Sequence, residues 1–138
     1  MSRIVLEVAY DYDFLLIGLV SHTKDYRLCY ELNKKFDFDL QKRDNLEILI
    51  NKRKETSVYS FYEYQNEDGD GFYLIGNKGS RSFLIPEQKQ LDYFLVIKQL
   101  SDLIDEKNLI KDLKTIPLLL GAFSIDPKGL KSKENLIF

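Results

Sequence analysis

Apolar and polar positions recur along this chain with two different periods, and the switches between them mark its elements. Ile4–Val8 is a short apolar run that reads as an edge strand. Phe14–Val20 is apolar on both faces, as expected of a central strand covered from both sides. Gly18 inside it predicts a bulge or a close backbone approach. Tyr26, Leu28, Cys29, Leu32 and Phe36 then recur at helical spacing, with Lys24, Arg27, Glu31, Lys34 and Lys35 on the other face. This pattern predicts a helix over Lys24–Phe36, with Thr23 placed as its cap.

Shorter runs follow. Phe38–Leu40 and Leu46–Ile50 are strand-like, with a polar break over Lys42–Asn45, and Asn51–Thr56 reads as a loop. Val58–Gln65 and Phe72–Gly76 flank the turn cluster Asn66–Gly71 and predict a hairpin, with Gly69 and Gly71 supplying positive φ. Ser82–Ile85 reads as a short strand and Leu91–Gln99 as a second central one. A second helix is expected after a cap at Ser101 or Asp102, with Leu103, Leu109, Ile110, Leu113 and Ile116 inward and Pro117 as its stop. Leu118–Asp126 is the last expected strand.

This order predicts an α+β fold, a two-layer sandwich with a mostly antiparallel sheet and two helices on one face. The strand–helix–strand at each end suggests distantly ferredoxin-like split βαβ halves. Residues 1–126 form the expected single domain, and residues 127–138 a basic tail with an apolar end, Leu136-Ile137-Phe138.

The stretch from Phe83 to Ile97 organises the rest. It is apolar up to Ile85, polar over Glu87–Gln90, and apolar again from Leu91. Pro86 pushes Ile85 into extended backbone and ends the first run. Ile85-Pro86-Glu87-x-x-Leu91-Asp92-Tyr93 resembles the signature of the bacterial IPExxVDY family, with Leu91 where the family name has Val. Asp25-Tyr26-Arg27-Leu28 with Glu31-Leu32-Asn33 is similar to the family's N-terminal segment, and Lys131–Phe138 to its C-terminal end. The resemblance implies a bacterial protein of about this length. It implies no activity, cofactor or catalytic residue.

Composition narrows the class. At 138 residues, 44% of them apolar and 30% charged, the chain can fill and cover one core. A net charge of −2 gives no global attraction to nucleic acid or anionic membrane. One cysteine, Cys29, precludes an internal disulfide and suits a reducing cytosol. The N-terminus lacks the pattern of a signal peptide. The longest apolar run falls far below the roughly 18–20 residues of a spanning helix. The expectation is a cytoplasmic protein with no membrane contact, no metal and no cofactor.

Five residues stand out as candidate binding groups. Glu87, Asp92 and Tyr93 of the signature combine two carboxylates and a phenol, the ingredients of acid–base or metal chemistry. Strand alternation should turn Asp92 and Tyr93 to opposite faces, and the plainer account makes them caps and packing groups. His22, the only histidine, follows the first central strand, where sites gather in α/β proteins. Arg27, on the polar face of the expected helix, is the fifth. Cys29 falls on the apolar stripe and reads as core filler, and one His with one Cys does not make a metal site. Lys52, Arg53, Lys54, Lys131 and Lys133 are the candidate basic patch for RNA, beside the hairpin aromatics Tyr59, Phe61, Tyr62, Tyr64, Phe72 and Tyr73. A core face with cross-strand aromatic pairs explains those rings more simply.

No nucleophile set, metal quartet or phosphate loop appears. The leading expectation is a non-catalytic interaction or adaptor protein with an unknown protein partner. Alternatives are RNA or ribonucleoprotein binding through the hairpin and Lys/Arg patch, and a small-molecule binder or enzyme using the Glu87/Asp92/Tyr93 region.

Overall fold

A computed structural model describes residues 12–50, 55–99 and 103–138. The expected strand Ile4–Val8, the caps Ser101 and Asp102 and the cluster Lys52, Arg53 and Lys54 lie outside the described residues. Among the described residues, eight strands and two α-helices are arranged in the order β1 (Leu15–Val20), α1 (Asp25–Phe36), β2 (Gln41–Lys42), β3 (Leu46–Leu49), β4 (Thr56–Tyr59), β5 (Phe61–Gln65), β6 (Gly71–Gly76), β7 (Tyr93–Lys98), α2 (Glu106–Leu113) and β8 (Gly121–Ile125). The class is α+β.

The main sheet has six strands in the order β2-β5-β6-β7-β1-β8, and β3 and β4 form a separate pair. Every neighbouring pair is antiparallel. Since β7 and β8 both run antiparallel to β1, they are parallel to each other and flank it. This order does not establish a ferredoxin-like fold.

Alternation along the central strands sorts their side chains onto two faces. Ile17 and Leu19 of β1, Leu95 and Ile97 of β7, and Phe72 and Leu74 of β6 pack against Leu28 and Leu32 of α1 and Leu109 and Leu113 of α2. Both helices therefore share one face. Leu16, Phe94, Val96 and Ile75 face the other way, onto Tyr59, Leu84, Ile85, Leu91, Leu130 and Leu136. That second face is closed by the β3–β4 pair, the signature segment and the C-terminal segment, so it is more than the two layers expected. Leu136 is fully buried there, and Phe138 packs edge-on against Phe61 and Tyr73. The apolar end of the tail docks on its own domain.

Gly18 faces side-chain tips and not another backbone: a Cβ there would crowd the terminal methyls Leu91 Cδ1 and Ile125 Cδ1, which would have to shift. Leu91 of the signature thus sits in the gap that Gly18 leaves in β1. Gly69 (φ 85°) turns the β5–β6 hairpin, whereas Gly71 has no positive φ and opens β6.

Several expectations are corrected. Val58–Gln65 is not one strand: it breaks at Ser60, and its halves enter different sheets. Phe38–Leu40 is not a strand, and Ser82–Ile85 contributes only an isolated bridge from Phe83 to Lys78. Thr23 does not cap α1; Lys24 occupies that position without a side-chain bond. The second helix starts later, capped by Asp105, which accepts from Lys107 and Asn108 N–H. Leu103, outside it, is exposed rather than inward.

Candidate functional site

The signature forms one short 3-10 turn, Pro86–Gln88, held by a residue outside it. Asn77 follows β6 and is fully buried. Its Nδ2 donates to the carbonyls of Gln88 (2.9 Å) and Leu91 (2.8 Å), and its Oδ1 accepts from Ile85 N–H (2.9 Å). Its backbone N–H donates to Asp92 O at 2.9 Å, and its own carbonyl accepts from Leu84 N–H at 2.7 Å. One amide side chain thereby satisfies three backbone groups, of which those of Ile85 and Leu91 are buried and would otherwise be costly.

Glu87 points to the C-terminal segment. Its carboxylate accepts from Ser132 N–H (2.8 Å) and Ser132 Oγ–H (2.9 Å). Partial burial would raise this carboxyl, but the Ser132 bonds and neighbouring amides outweigh it and hold the group below the usual range. Asn135 adds a bond from Nδ2 to Leu84 O at 2.8 Å. Glu87 is therefore a latch for the tail.

Asp92 and Tyr93 point to the β1–α1 loop. Asp92 Oδ2 accepts from Ser21 N–H at 2.9 Å, and Asp92 N–H donates to Leu19 O at 2.8 Å. Tyr93 Oη–H donates to the Thr23 carbonyl. Burial, with Asp25 and Asp92 close by, pushes the Tyr93 phenol up to about 12, so it remains a donor at neutral pH. The buried Ser21 closes the loop from below, its Oγ donating to Leu118 O at 2.9 Å.

These ties place the loop along an open cleft of about 490 Å³ at one end of the main sheet. Asp92, Tyr93 and His22 all line it. Alternation was expected to part Asp92 from Tyr93. It does not, because Asp92 precedes the first residue of β7 and the cleft collects groups beyond the sheet's end. Glu87 and Arg27 are not among its walls, and Arg27 is exposed on α1.

Sequence reasoning did not bring Lys24, Asp25, Ser60 and Lys78 together with His22, Asp92 and Tyr93, and they complete the cleft. Gly76 pairs with Tyr93, which brings Lys78 and Ser60 alongside. The carboxylates are already engaged, Asp92 by Ser21 N–H and Asp25 by Tyr62 Oη–H at 2.8 Å. Burial first, then this bond, pushes the Tyr62 phenol up. No hydrogen bond or ion pair joins the Lys24 or Lys78 ammonium to a described residue.

Cys29 is not brought to His22. Its thiol is buried beside Leu40 O (3.4 Å) and Asn33, and burial pushes it up to about 11, which leaves little thiolate for nucleophilic attack. Among the described residues no three His, Cys, Asp or Glu side chains converge as metal ligands, and no helix is long and apolar enough to cross a membrane. Lys133 lies over the Tyr12 ring at 5.1 Å, and Lys131 is exposed on the tail. Tyr59, Tyr62 and Phe72 are buried, and Phe61 and Tyr73 carry Phe138, so these rings are core. No protein-family model and no curated protein matches this chain.

Proposed function

We propose that the chain binds a small polar ligand carrying a phosphate or carboxylate in the cleft beside the β1–α1 loop. The observation that carries this reading is the convergence of Lys24, Lys78 and His22 in one cleft whose two carboxylates are already hydrogen-bonded. An anion entering there meets the Lys24 and Lys78 ammonium groups and the hydroxyl of Ser60, which must outweigh the negative charge that Asp25 and Asp92 keep. The bonds from Asp92 and Tyr93 pre-organise the loop, which lowers the ordering cost of binding. The geometry favours binding over catalysis: the phenol of Tyr93 is a committed donor and the thiol of Cys29 is elsewhere. The test is an amide chemical-shift titration with inorganic phosphate and glycerol phosphate. Saturable shifts at Ser21–Asp25, Ser60 and Lys78, lost in Lys24→Glu/Lys78→Glu, are expected. Absence of shifts at millimolar ligand would defeat the reading.

A second reading is an interaction protein with a protein partner, favoured by Tyr26 and Tyr30. These aromatic side chains lie one turn apart on α1 and are 66% and 61% exposed. RNA binding has weaker support, because the hairpin rings are packed and Lys133 rests on Tyr12. Membership of the IPExxVDY family, bacterial origin and a cytoplasmic location belong to the same proposal and rest on the signature residues and the single cysteine.

A further inference from the structure

The fixed charges that line the cleft beside the β1–α1 loop cancel. Lys24 and Lys78 bring two ammonium groups, and Asp25 and Asp92 two carboxylates. Neither carboxylate is free to turn away, because Asp25 accepts from Tyr62 Oη–H at 2.8 Å and Asp92 from Ser21 N–H at 2.9 Å. The Tyr93 phenol adds no charge, since burial first, then Asp25 and Asp92, push it up to about 12. One ionisable lining residue is left, His22, exposed in the loop itself. An imidazole is the ordinary side chain whose charge changes between about pH 5 and 8.

We infer, resting on the reading of this cleft as an anion site, that it takes up its anion together with a proton carried by His22. With the imidazole neutral, the ammonium groups and the carboxylates offset each other and an anion gains little. With the imidazole protonated, the cleft is singly positive, and the ring donates from both nitrogens instead of one. The charge arises at a defined place. Ser21, before His22, is held by Asp92, and the carbonyl of Thr23, after it, is held by Tyr93. The loop backbone on either side of the imidazole is therefore set before the anion arrives. β1 and β4 reach the cleft at their last residues and β7 leaves from it, so the ends adjoining residues 1–11, 51–54 and 100–102 are the opposite ends of these strands.

The experiment is a sulfate titration of the full chain at about pH 5.5 and about pH 8, read from the amide shifts of Ser21–Asp25. Sulfate keeps its charge across this range, and carboxylates and ammonium groups as classes titrate outside it. An anion favours the charged imidazole, so affinity is full below the imidazole midpoint and falls as pH rises through it. The parent should bind about tenfold more tightly at the lower pH, the share of one charge-assisted hydrogen bond. His22→Gln should bind at both pH values as weakly as the parent does at the higher one. His22→Lys, whose charge is fixed, should bind at both as tightly as the parent does at the lower one. Both change an exposed side chain, and the amide spectrum itself reports that they are folded. His22 is the only histidine, so its ring C–H signals follow its own titration. Saturating sulfate should raise that midpoint by about one pH unit, because a tenfold gain in affinity is the same coupling seen from the proton's side. Equal affinity at both pH values, an unmoved midpoint, or a pH dependence that survives in His22→Gln overturns the inference and leaves the anion site standing. Absence of sulfate shifts at either pH defeats both.

Discussion

Replacing Asp92 by Ala removes the acceptor that holds the β1–α1 loop. Ser21 is 2% exposed, and its N–H donates to Asp92 Oδ2 at 2.9 Å. After truncation that amide has no acceptor and little access to water. A hydrogen bond to a charged group contributes about 1.5–3 kcal/mol. Asp92 is itself only half-buried, which moves the expectation toward the lower part of that range, about 2 kcal/mol. This corresponds to roughly thirtyfold in the folding equilibrium. Asp92→Asn keeps an oxygen in place and should cost about 1 kcal/mol or less. Urea unfolding reads both, with the midpoint falling and the slope unchanged if the folded and unfolded states keep their compactness. Amide exchange at Ser21 should quicken in Asp92→Ala. A variant within about 0.5 kcal/mol of the parent, the range of ordinary surface changes, would refute the assignment of Asp92 as the loop's anchor.

The tail latch should depend on pH. Because the folded Glu87 carboxyl is held below its ordinary value of 4.5, its contribution is present above that value and is lost as pH falls through the lower folded one. Exchange at the Ser132 amide should therefore quicken only in acid, and Glu87→Gln should flatten that dependence; an acid-insensitive parent would contradict the latch. Leu136 is fully buried against the sheet, so Leu136→Ala should lower stability by about 2–4 kcal/mol, nearer the lower figure if the terminal segment relaxes. An unchanged melting temperature would show that the tail's docking adds nothing to the fold.

What could be read from the chain alone followed the strength of its periodicity. The apolar run Phe14–Val20 and the stripe from Tyr26 to Phe36 are long enough to name a central strand and a helix, and both are found within a residue of their expected bounds. The break at Ser60 left no mark, because Val58–Gln65 has continuous strand composition while the chain passes from one sheet to another. Leu103 was assigned inward by spacing, yet Asp105 caps α2 after it and leaves it outside the helix. The site was half legible. His22, Asp92 and Tyr93 are conspicuous by type, but Lys78 and Ser60 join them only through the long-range pairing of Gly76 with Tyr93. No sequence pattern singles out Asn77, which simply follows the apolar run of β6. Its role arises from burial under the signature, which local pattern does not carry.

The most direct measurement is the phosphate titration carried out on the parent and on Tyr93→Phe. This substitution removes the bond to the Thr23 carbonyl without altering the charge of the cleft. The account predicts saturable shifts along Ser21–Asp25 in the parent and weaker binding in Tyr93→Phe, with shifts at the same residues. No shifts in the parent, or binding of equal strength in Tyr93→Phe, would contradict the claim that the signature positions this loop to receive an anion.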